Sequence, residues 1–261
     1  MAGISVNIIA RNEEASIGPC LESVLWADEI IVYDDESLDH TVDICRQYPK
    51  VQVFVHPLVG EGPKRNYALS KATCEWILVV DADERISPEL RDEILQRIGE
   101  EPVAGYYVRM RYFAFGRWIV DYKAMNPRLF RRKAGRFPEE LVHTAAIVSG
   151  PIARLEHPFI HVSRTYATLG GYLARQNTYT SHTAMDLYGL GRRMLLSTLP
   201  WHLLVKPLAI ALRKYLLWGI RFGMAGFLLS ALSGYDYFLI SAKLWELQED
   251  RRKDGRDQEC T

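Results

Sequence analysis

Cysteine is scarce in this sequence, and its spacing excludes two common kinds of site. The 261 residues include four cysteines, Cys20, Cys45, Cys74 and Cys260, and no two of them form a CxxC pair. That spacing argues against a zinc site and against a disulfide framework. It favours a protein of a reducing compartment.

The chain also lacks a net charge, because 32 Lys and Arg residues balance 32 Asp and Glu residues. The charges are unevenly distributed, however, since no Asp or Glu occurs between Arg192 and Tyr235. The basic residues of that stretch are Arg192, Arg193, Lys206, Arg213, Lys214 and Arg221. This asymmetry predicts a basic surface that faces an anionic partner.

Two further absences bear on the membrane. The first residues, MAGISVNIIARNEE, have no basic segment and reach a charge at Arg11, so we predict no signal peptide. The longest charge-free stretch of the C-terminal third is Phe222–Tyr235, which is shorter than the roughly 20 residues that span a bilayer. We therefore expect a cytoplasmic protein, peripheral on the cytoplasmic face of the inner membrane.

What the chain does have is a regular alternation of strand and helix patterns. The segments that predict strands are Ile4–Ala10, Glu29–Tyr33, Val51–Val55 and Trp76–Val80, and helical patterns follow each of them. This order indicates βαβ units and a parallel sheet, which is the α/β class. In open sheets of this kind, ligands bind beyond the carboxyl ends of the strands.

The carboxyl end of the fourth strand carries an unusual density of acids. In WILVVDADE, Asp81 and Asp83 follow five apolar residues. If the segment stays extended, both side chains point to the same side. A hard dication such as Mg²⁺ or Mn²⁺ would relieve their repulsion and bind phosphate oxygens as well. Taken alone, however, the motif fits a helix-capping turn better than a metal site.

Two more features belong with this motif. Lys64 and Arg65 follow a predicted loop at Gly60–Pro63 and open a helix, a position that suits a diphosphate or simply a solvated helix start. Asp34 ends the second strand, where a carboxylate could accept from a nucleobase N–H or form a plain turn.

Together, VNIIARNEE, VYDDESLDHT, GPKRNYAL and VVDADE, in this order and spacing, resemble family 2 glycosyltransferases with the GT-A fold. Within that family the chain looks most like bacterial lipopolysaccharide core β-1,4-glucosyltransferases. The resemblance implies a Rossmann-like nucleotide-sugar-binding sheet with a helical, membrane-associating C-terminal region. The domains it implies are a catalytic domain over 1–165 (donor half 1–101, acceptor half 102–165), a helical region over 166–247 and a polar tail over 248–261.

The resemblance also implies contacts with the nucleoside. Asn12 and Glu13 would lie against it, and Asp34 would bind the base, usually uracil. The family often has Asp-Ser-Gly-Ser-Thr-Asp in the segment that begins at Asp34, whereas Asp35 and Glu36 replace small residues here. The preference for base or sugar could differ accordingly.

For the phosphates, the resemblance implies four residues. Lys64 and Arg65 would lie along the diphosphate, and Asp81 would lie near the ribose or the metal. Asp83 would coordinate a Mg²⁺ or Mn²⁺ ion that bridges the phosphates.

Inverting sugar transfer also needs a carboxylate that takes a proton from the acceptor hydroxyl. The family has an acidic pair in the region of FPEELVH, which favours Glu140 as the base and Glu139 as the second candidate. The alternative is that both are exposed acids before a strand. His143 is a further candidate metal or phosphate ligand, although a lone histidine is more often packed and hydrogen-bonded. Many relatives have an acid where Thr144 stands.

Basic and aromatic residues crowd the segment between 109 and 136. Its arginines are Arg109, Arg111, Arg117, Arg128, Arg131, Arg132 and Arg136. Such a set would suit an anionic saccharide acceptor or a single-stranded nucleic acid, and for most of its members an ordinary solvated position is the preferred interpretation. We expect a saccharide acceptor, lipid-linked, and no nucleic acid.

In the C-terminal third, Lys206, Arg213, Lys214 and Arg221 recur at a spacing that places them on one face of a helix. A cationic stripe opposite an aromatic-rich apolar face is typical of a helix that lies in the membrane interface. The aromatic residues expected at headgroup level are Trp201, Tyr215, Trp218 and Tyr235. A helix packed on the domain or in a dimer is the alternative.

The leading hypothesis is an inverting, metal-dependent transfer of a hexose from a nucleotide sugar, a UDP-sugar first, to lipopolysaccharide core or another lipid-linked glycan. A nucleotidyltransferase that acts on a sugar phosphate is a second hypothesis, although its usual glycine-rich first turn is replaced by ARNEEAS. A non-catalytic protein that binds nucleotide sugars or membranes is the third.

Overall fold

The computed structural model describes residues 3–99, 102–139, 145–162 and 168–259, with the side chains of all but 120–125 and 251–259. The chain forms two compact units. The first comprises residues 1–113 and 118–163, and the second comprises residues 114–117 and 164–261.

The first unit alternates strands and helices as the sequence predicts. Its elements are β1 (Ile4–Ala10), α1 (Ile17–Val24), β2 (Glu29–Asp34), α2 (Thr41–Cys45), β3 (Val51–Val55), α3 (Glu61–Lys71), β4 (Trp76–Asp81), β5 (Glu84–Arg85), α4 (Pro88–Arg97), β6 (Gly105–Ala114), β7 (Arg117–Arg131), β8 (Gly135–Arg136), β9 (Ile147–Val148), β10 (Ile152–Arg154) and β11 (Phe159–His161). The four predicted strands of the α/β class are confirmed.

The main sheet is mixed and has the order β3-β2-β1-β4-β7-β6-β11-β5, with β10 paired to β6. The first four strands of this order run parallel to one another, whereas β7 is antiparallel to β4. The run of four parallel strands therefore ends at β4, the strand that carries the acidic motif, and β6 later pairs in parallel with β10 and β11.

Alternate residues of the parallel strands face two separate cores, which makes these strands apolar on both sides. Val6, Ile8 and Leu78 pack on one face with side chains of α1 and α4. Ile31 and Ile77 pack on the other face with Ala68 of α3. Because both faces are covered, polar side chains concentrate where the strands end.

Two local expectations are wrong, each for a local reason. Helix α3 begins at Glu61 and not after Pro63, because proline in a first helical turn has no amide that needs a partner. The DAD segment does not stay extended, since β4 ends at Asp81 and residues 82 and 83 form a turn before Glu84. The Glu84 carboxylate accepts from the Asp81 amide at 2.9 Å and so closes that turn.

The second unit is helical, as the pattern after Tyr166 indicates. It contains α5 (Leu169–Gly189), α6 (Lys206–Leu217) and α7 (Gly223–Glu259), with a π-helical turn over Trp201–Val205 before α6. Helix α7 packs closely on α6 and on the turn that follows α6. A side chain on Gly234 would overlap the carbonyl of Pro207 in α6, and one on Gly226 would overlap the carbonyl of Gly219 in that turn.

The structure corrects the predicted cationic stripe. Lys206 and Lys214 are half-buried against α7, where Lys214 Nζ donates to Ser233 Oγ at 2.6 Å and Lys206 Nζ lies 4.7 Å from the Tyr237 ring centroid. Of the predicted stripe, Arg213 and Arg221 remain exposed. Trp218, expected at a headgroup, is buried.

Within the described residues, one helical stretch, Gly219–Asp250, is long and apolar enough to cross a membrane by length and composition alone. The charge-free stretch Phe222–Tyr235 is shorter, because it ends before Asp236, whereas Gly219–Asp250 includes charged residues such as Asp236 and Lys243.

Candidate active site

The carboxyl ends of β1, β2 and β4 lie side by side. In the sheet register, Ala10 pairs with Asp34 and Ile9 pairs with Asp81. The loops that follow these strands therefore meet at one edge, which we call the strand-end rim. The predicted site residues Asn12, Glu13 and Asp34 are all on it.

Asn12 and Glu13 connect the first two loops of the rim. The Asn12 amide donates to Ser37 Oγ and its side-chain oxygen accepts from the Leu38 amide, both at 2.8 Å. The Glu13 amide donates to Thr41 Oγ1 at 2.7 Å. Asn12 has a φ of 55°, a left-handed conformation that asparagine tolerates better than most residues. These contacts fix the shape of the edge at which a nucleoside would bind.

Asp34 is fully buried at the end of β2. Its two oxygens accept from the amide of Ser37 at 2.8 Å and from its hydroxyl at 2.6 Å. The acid therefore closes the turn after β2. Each carboxylate oxygen can accept a second hydrogen bond, so this role is compatible with the predicted contact to a base.

Asp35, at a position where the family resemblance led us to expect a small residue, holds Lys64. Lys64 Nζ lies 2.5 Å from Asp35 Oδ2, and Arg11 Nη1 lies 3.1 Å from the same oxygen. The Lys64 side chain is 16% exposed. The predicted phosphate contact thus has an acidic partner within the protein.

Five charged residues form a continuous chain at the end of β4, the rim ion network: Glu61, Arg65, Asp81, Arg128 and Glu84. Arg65 Nη2 contacts Glu61 Oε1 at 2.5 Å and Asp81 Oδ1 at 2.8 Å. Arg128 Nη2 contacts Asp81 Oδ2 and Glu84 Oε1, both at 3.0 Å. The arginines therefore supply the positive charge that the acids of this segment require.

The network sets the protonation of two of its acids, half-buried Asp81 and fully buried Glu84, in opposite directions. Burial opposes ionisation of Asp81, but Arg128 and Arg65 hold its pKa well below the usual range. Burial raises the pKa of Glu84 to about 7, with Arg128 opposing the rise and Asp81 adding to it. Asp81 is thus a permanent anion, while Glu84 exchanges a proton near neutral pH.

Asp83 lies beside a histidine of β11. His161 Nδ1 is 3.3 Å from Asp83 Oδ1, and both side chains are nearly buried. Strand β11 places His161 opposite Glu84 of β5. Burial lowers the pKa of His161, but the hydrogen bond and charge of Asp83 outweigh it and the pKa is raised.

Arg128 is the residue whose place sequence reasoning missed most clearly. It belonged to a set of arginines interpreted mainly as solvated, yet its side chain is 13% exposed. Its Nη1 is buried and makes no hydrogen bond to any residue that the structure describes. The one available signal was its place directly after Pro127 and before an apolar strand segment, which is too weak to distinguish it from the other arginines.

The acids fit a metal held by few protein ligands better than one enclosed by the protein. No group of three or more His, Cys, Asp or Glu side chains suited to a metal occurs in the part of the chain that the structure describes. Asp81 meets two arginines, and Asp83 lies beside His161. Mg²⁺ commonly uses one or two carboxylates plus substrate phosphates, and Asp83 with Asp81 fits that pattern.

The predicted base segment is only partly described. Glu139 is exposed after β8, while Glu140 and His143 lie outside the described residues. The segment before them is fixed to α3, because Asn66 and Phe137 exchange two hydrogen bonds of 2.9 Å. The Arg65 guanidinium carbon lies 5.7 Å from the Phe137 ring centroid, so this segment leaves the sheet close to the rim ion network.

Residues 5–150 match the model for Glycosyl transferase family 2. The chain is 30% identical to an uncharacterized glycosyltransferase of Rickettsia typhi over 95% of this chain and 88% of that protein. It is 26% identical to the lipopolysaccharide core biosynthesis glycosyltransferase LpsC of Rhizobium meliloti, over 93% of this chain and 92% of LpsC.

Two solved structures share the fold at low identity. One is TarS 1–349 of S. aureus in complex with UDP-GlcNAc, with a TM-score of 0.52, 18% identity, and coverage of 97% of this chain and 92% of TarS 1–349. The other is the mannosyltransferase PcManGT of Pyrobaculum calidifontis in complex with GDP-Man and Mn²⁺, with a TM-score of 0.53, 15% identity, and coverage of 93% and 87%. The expected GT-A fold is confirmed.

Proposed function

The chain belongs to glycosyl transferase family 2, and from that premise we propose that it transfers a hexose, with inversion, from a nucleotide sugar to a saccharide of the lipopolysaccharide core or another lipid-linked glycan. The observation that carries the proposal is the strand-end rim, where acidic side chains at the carboxyl ends of β2 and β4 meet basic side chains of α3 and β7 at the edge used by ligands in such sheets.

The donor is a nucleoside diphosphate sugar, a UDP-sugar first. Support comes from TarS and PcManGT, which share the fold and whose structures contain UDP-GlcNAc and GDP-Man. Asp34 would accept from the base, with Asn12 and Glu13 beside the nucleoside. Lys64 and Arg65 would lie along the diphosphate, and the free Nη1 of Arg128 would donate to a phosphate or sugar oxygen.

A divalent cation, Mg²⁺ or Mn²⁺, would be held by Asp83 and Asp81. When bound, it would neutralise charge that develops on the departing diphosphate. The PcManGT structure contains Mn²⁺, which supports a metal-dependent reaction.

In the transfer step, Glu140 takes the proton of the acceptor hydroxyl, with Glu139 as the alternative base. The hydroxyl oxygen then forms a bond to the anomeric carbon from the face opposite the nucleotide. The bond between that carbon and the diphosphate oxygen breaks, and the electron pair leaves with the nucleotide. One displacement of this kind inverts the anomeric centre.

The acceptor is a saccharide on a lipid anchor, reached at the cytoplasmic face of the inner membrane. The name of LpsC supports a lipopolysaccharide acceptor. The apolar helix Gly219–Asp250 supports a membrane-associated protein.

The test is a donor screen with the full chain. Purified protein is incubated with truncated lipopolysaccharide, Mn²⁺ and each of the UDP-, GDP- and ADP-sugars, and nucleotide release is measured. We expect release from one donor class, loss of release with a chelator, and a decrease of roughly 100-fold or more in Asp83→Asn.

The matched control is Asp92→Asn, an exposed aspartate on α4, which should retain full release. No nucleotide release from any donor would contradict the proposal. Pyrophosphate as the product would favour a nucleotidyltransferase, and donor binding without turnover would favour a binding protein.

A further inference from the structure

Helix α6 and the turns on either side of it expose one continuous apolar face. Its residues recur at alternating intervals of three and one, which is one side of a helix. They are Trp201, Leu204, Val205, Leu208, Ala209, Leu212, Arg213, Leu216, Leu217 and Ile220, and all are exposed. We call this set the α6 outer face. Leu208 is 70% exposed and Leu212 is 55% exposed, although a surface helix normally turns such residues inward.

Packing against α7 fixes this orientation. The inner side of α6 presents Pro207 and Lys214, with Pro207 in contact with Gly234 and Lys214 bonded to Ser233. His202 Nδ1 is 2.7 Å from the Tyr237 hydroxyl. Polar groups on the inner side of α6 and of the turn before it thus have partners within the unit, while leucines of α6 such as Leu208, Leu212 and Leu216 are more than half exposed. A contiguous exposed apolar surface of this kind marks an interaction site.

Charge indicates the kind of partner. No acidic residue occurs between Arg192 and Tyr235, and the exposed charges of this stretch are basic: Arg192, Arg193, Arg213 and Arg221. An apolar helical face whose own stretch of chain carries only cations complements an anionic lipid surface, where arginine stems lie along apolar groups and guanidinium heads reach phosphate.

The polar contacts of α7 argue against a spanning arrangement. In its middle part, the Asp236 carboxylate accepts from the Tyr172 hydroxyl at 2.5 Å, and Lys243 Nζ donates to Asn177 Oδ1 and Thr180 Oγ1, both at 2.8 Å. Arg213 interrupts the outer face itself. Charged groups at these positions are costly in hydrocarbon but acceptable where a helix lies at the interface.

We propose that the α6 outer face lies in the plane of the interface of an anionic bilayer and anchors the protein to one leaflet without crossing it. The proposal deepens the lipid-linked acceptor of the proposed function. Membrane binding is measured without any donor or acceptor. The proposal can therefore fail while transferase activity is confirmed, and transferase activity can be absent while membrane binding is confirmed.

The first test is cosedimentation of the full chain with vesicles of phosphatidylcholine and phosphatidylglycerol, and with phosphatidylcholine alone. We expect binding that favours the anionic vesicles and weakens in high salt. The double variant Leu208→Gln/Leu212→Gln should bind roughly 10-fold or more weakly with an unchanged thermal transition. A matched control is Leu38→Gln/Val59→Gln, which changes two exposed apolar residues of the first unit and should bind as the parent chain does.

The second test measures depth. A fluorophore on Leu204→Cys and another on Leu216→Cys, in a chain whose Cys74 and Cys260 are replaced by serine, are quenched by lipids brominated at known positions. Equal, shallow depths at both sites are expected. Depths that differ by most of a leaflet would overturn the in-plane arrangement. Absence of vesicle binding would contradict the proposal that the partner is a lipid surface. A stable dimer in solution that dissociates in the Leu208→Gln/Leu212→Gln variant would contradict it as well.

Discussion

The end of β4 and the outer face of α6 depart from the usual distribution of polarity in opposite ways. At the end of β4, Asp81, Arg128 and Glu84 are largely or fully buried charged groups. On α6, leucines such as Leu208 face outward. Buried charges are tolerated when paired, and exposed apolar faces persist when a partner covers them. The first region contains its partners, whereas the second does not.

The two regions therefore differ in whether they need a partner outside their own unit. Arg65 and Arg128 neutralise Asp81 within the fold, so the acidic rim is stable without any ligand. No comparable cover exists for the α6 outer face among the residues that the structure describes.

Arg128→Met should have the largest effect. It leaves Glu84 buried without its cation, and removal of one partner from a buried pair costs about 3 kcal/mol or more of the free energy of unfolding. Urea denaturation measures the loss. The control Arg91→Met removes an exposed pair with Asp92 and should leave the free energy of unfolding nearly unchanged, because solvent screens such a pair.

A second substitution checks the cause. Glu84→Gln in the Arg128→Met background removes the unpaired acid and should recover part of the loss. Equal stability of Arg128→Met and the parent chain would show that the rim ion network does not stabilise the first unit.

The next largest effect is a pH dependence. The folded-state pKa of Glu84 is raised from 4.5 to about 7, so the folded chain binds the extra proton and loses stability as pH rises through this window. His161 adds to the loss above it, because its folded pKa is also raised. Asp81, with its lowered pKa, contributes stability that disappears only in strong acid.

Urea denaturation between pH 5 and pH 8 measures this slope. Glu84→Gln should flatten it by on the order of 2 kcal/mol relative to the parent chain, and Glu22→Gln, an exposed change on α1, should not. If the free energy of unfolding of the parent chain depended on pH in the same way as that of Glu84→Gln, the assignment would be refuted.

The smallest effect distinguishes two neighbouring cations of α6. Arg213→Met should weaken binding to anionic vesicles roughly 5-fold, since a basic residue near the surface contributes about 1 kcal/mol, and should leave the melting temperature unchanged. Lys214→Met should lower the melting temperature and leave binding to anionic vesicles unchanged, because Lys214 binds Ser233 inside the unit. Identical behaviour of the two variants would remove the distinction between inner and outer faces.

Sequence reasoning located the rim but not its internal pairing. The strand patterns and the acids that follow them were sufficient to predict where Asp34 and Asp81 lie. The partners came from distant segments: Arg128 reaches Asp81 from β7, and His161 reaches Asp83 from β11. No local pattern marks one arginine among seven as the buried one. For the roles of Asn12, Glu139 and Glu140 in the reaction, the predictions remain to be tested by experiment.

The C-terminal helices show the same division. The acid-free composition and the helical period were evident from Arg192 onward, and both favoured a lipid-facing region. Which side of α6 faces out was not evident, since Lys206 and Lys214 recur with Arg213 at helical spacing. Close contact at Gly226 and Gly234 turns the two lysines toward α7.

The sequence by itself determined the family, the α/β order of elements and the strand ends at which charge collects, because apolar periodicity and strand-end motifs are local properties. The tertiary structure decided which charges neutralise one another and which apolar face stays uncovered. Those outcomes depend on contacts between residues far apart in the chain, and only the folded chain brings such residues within the few ångströms over which ion pairs and packing act.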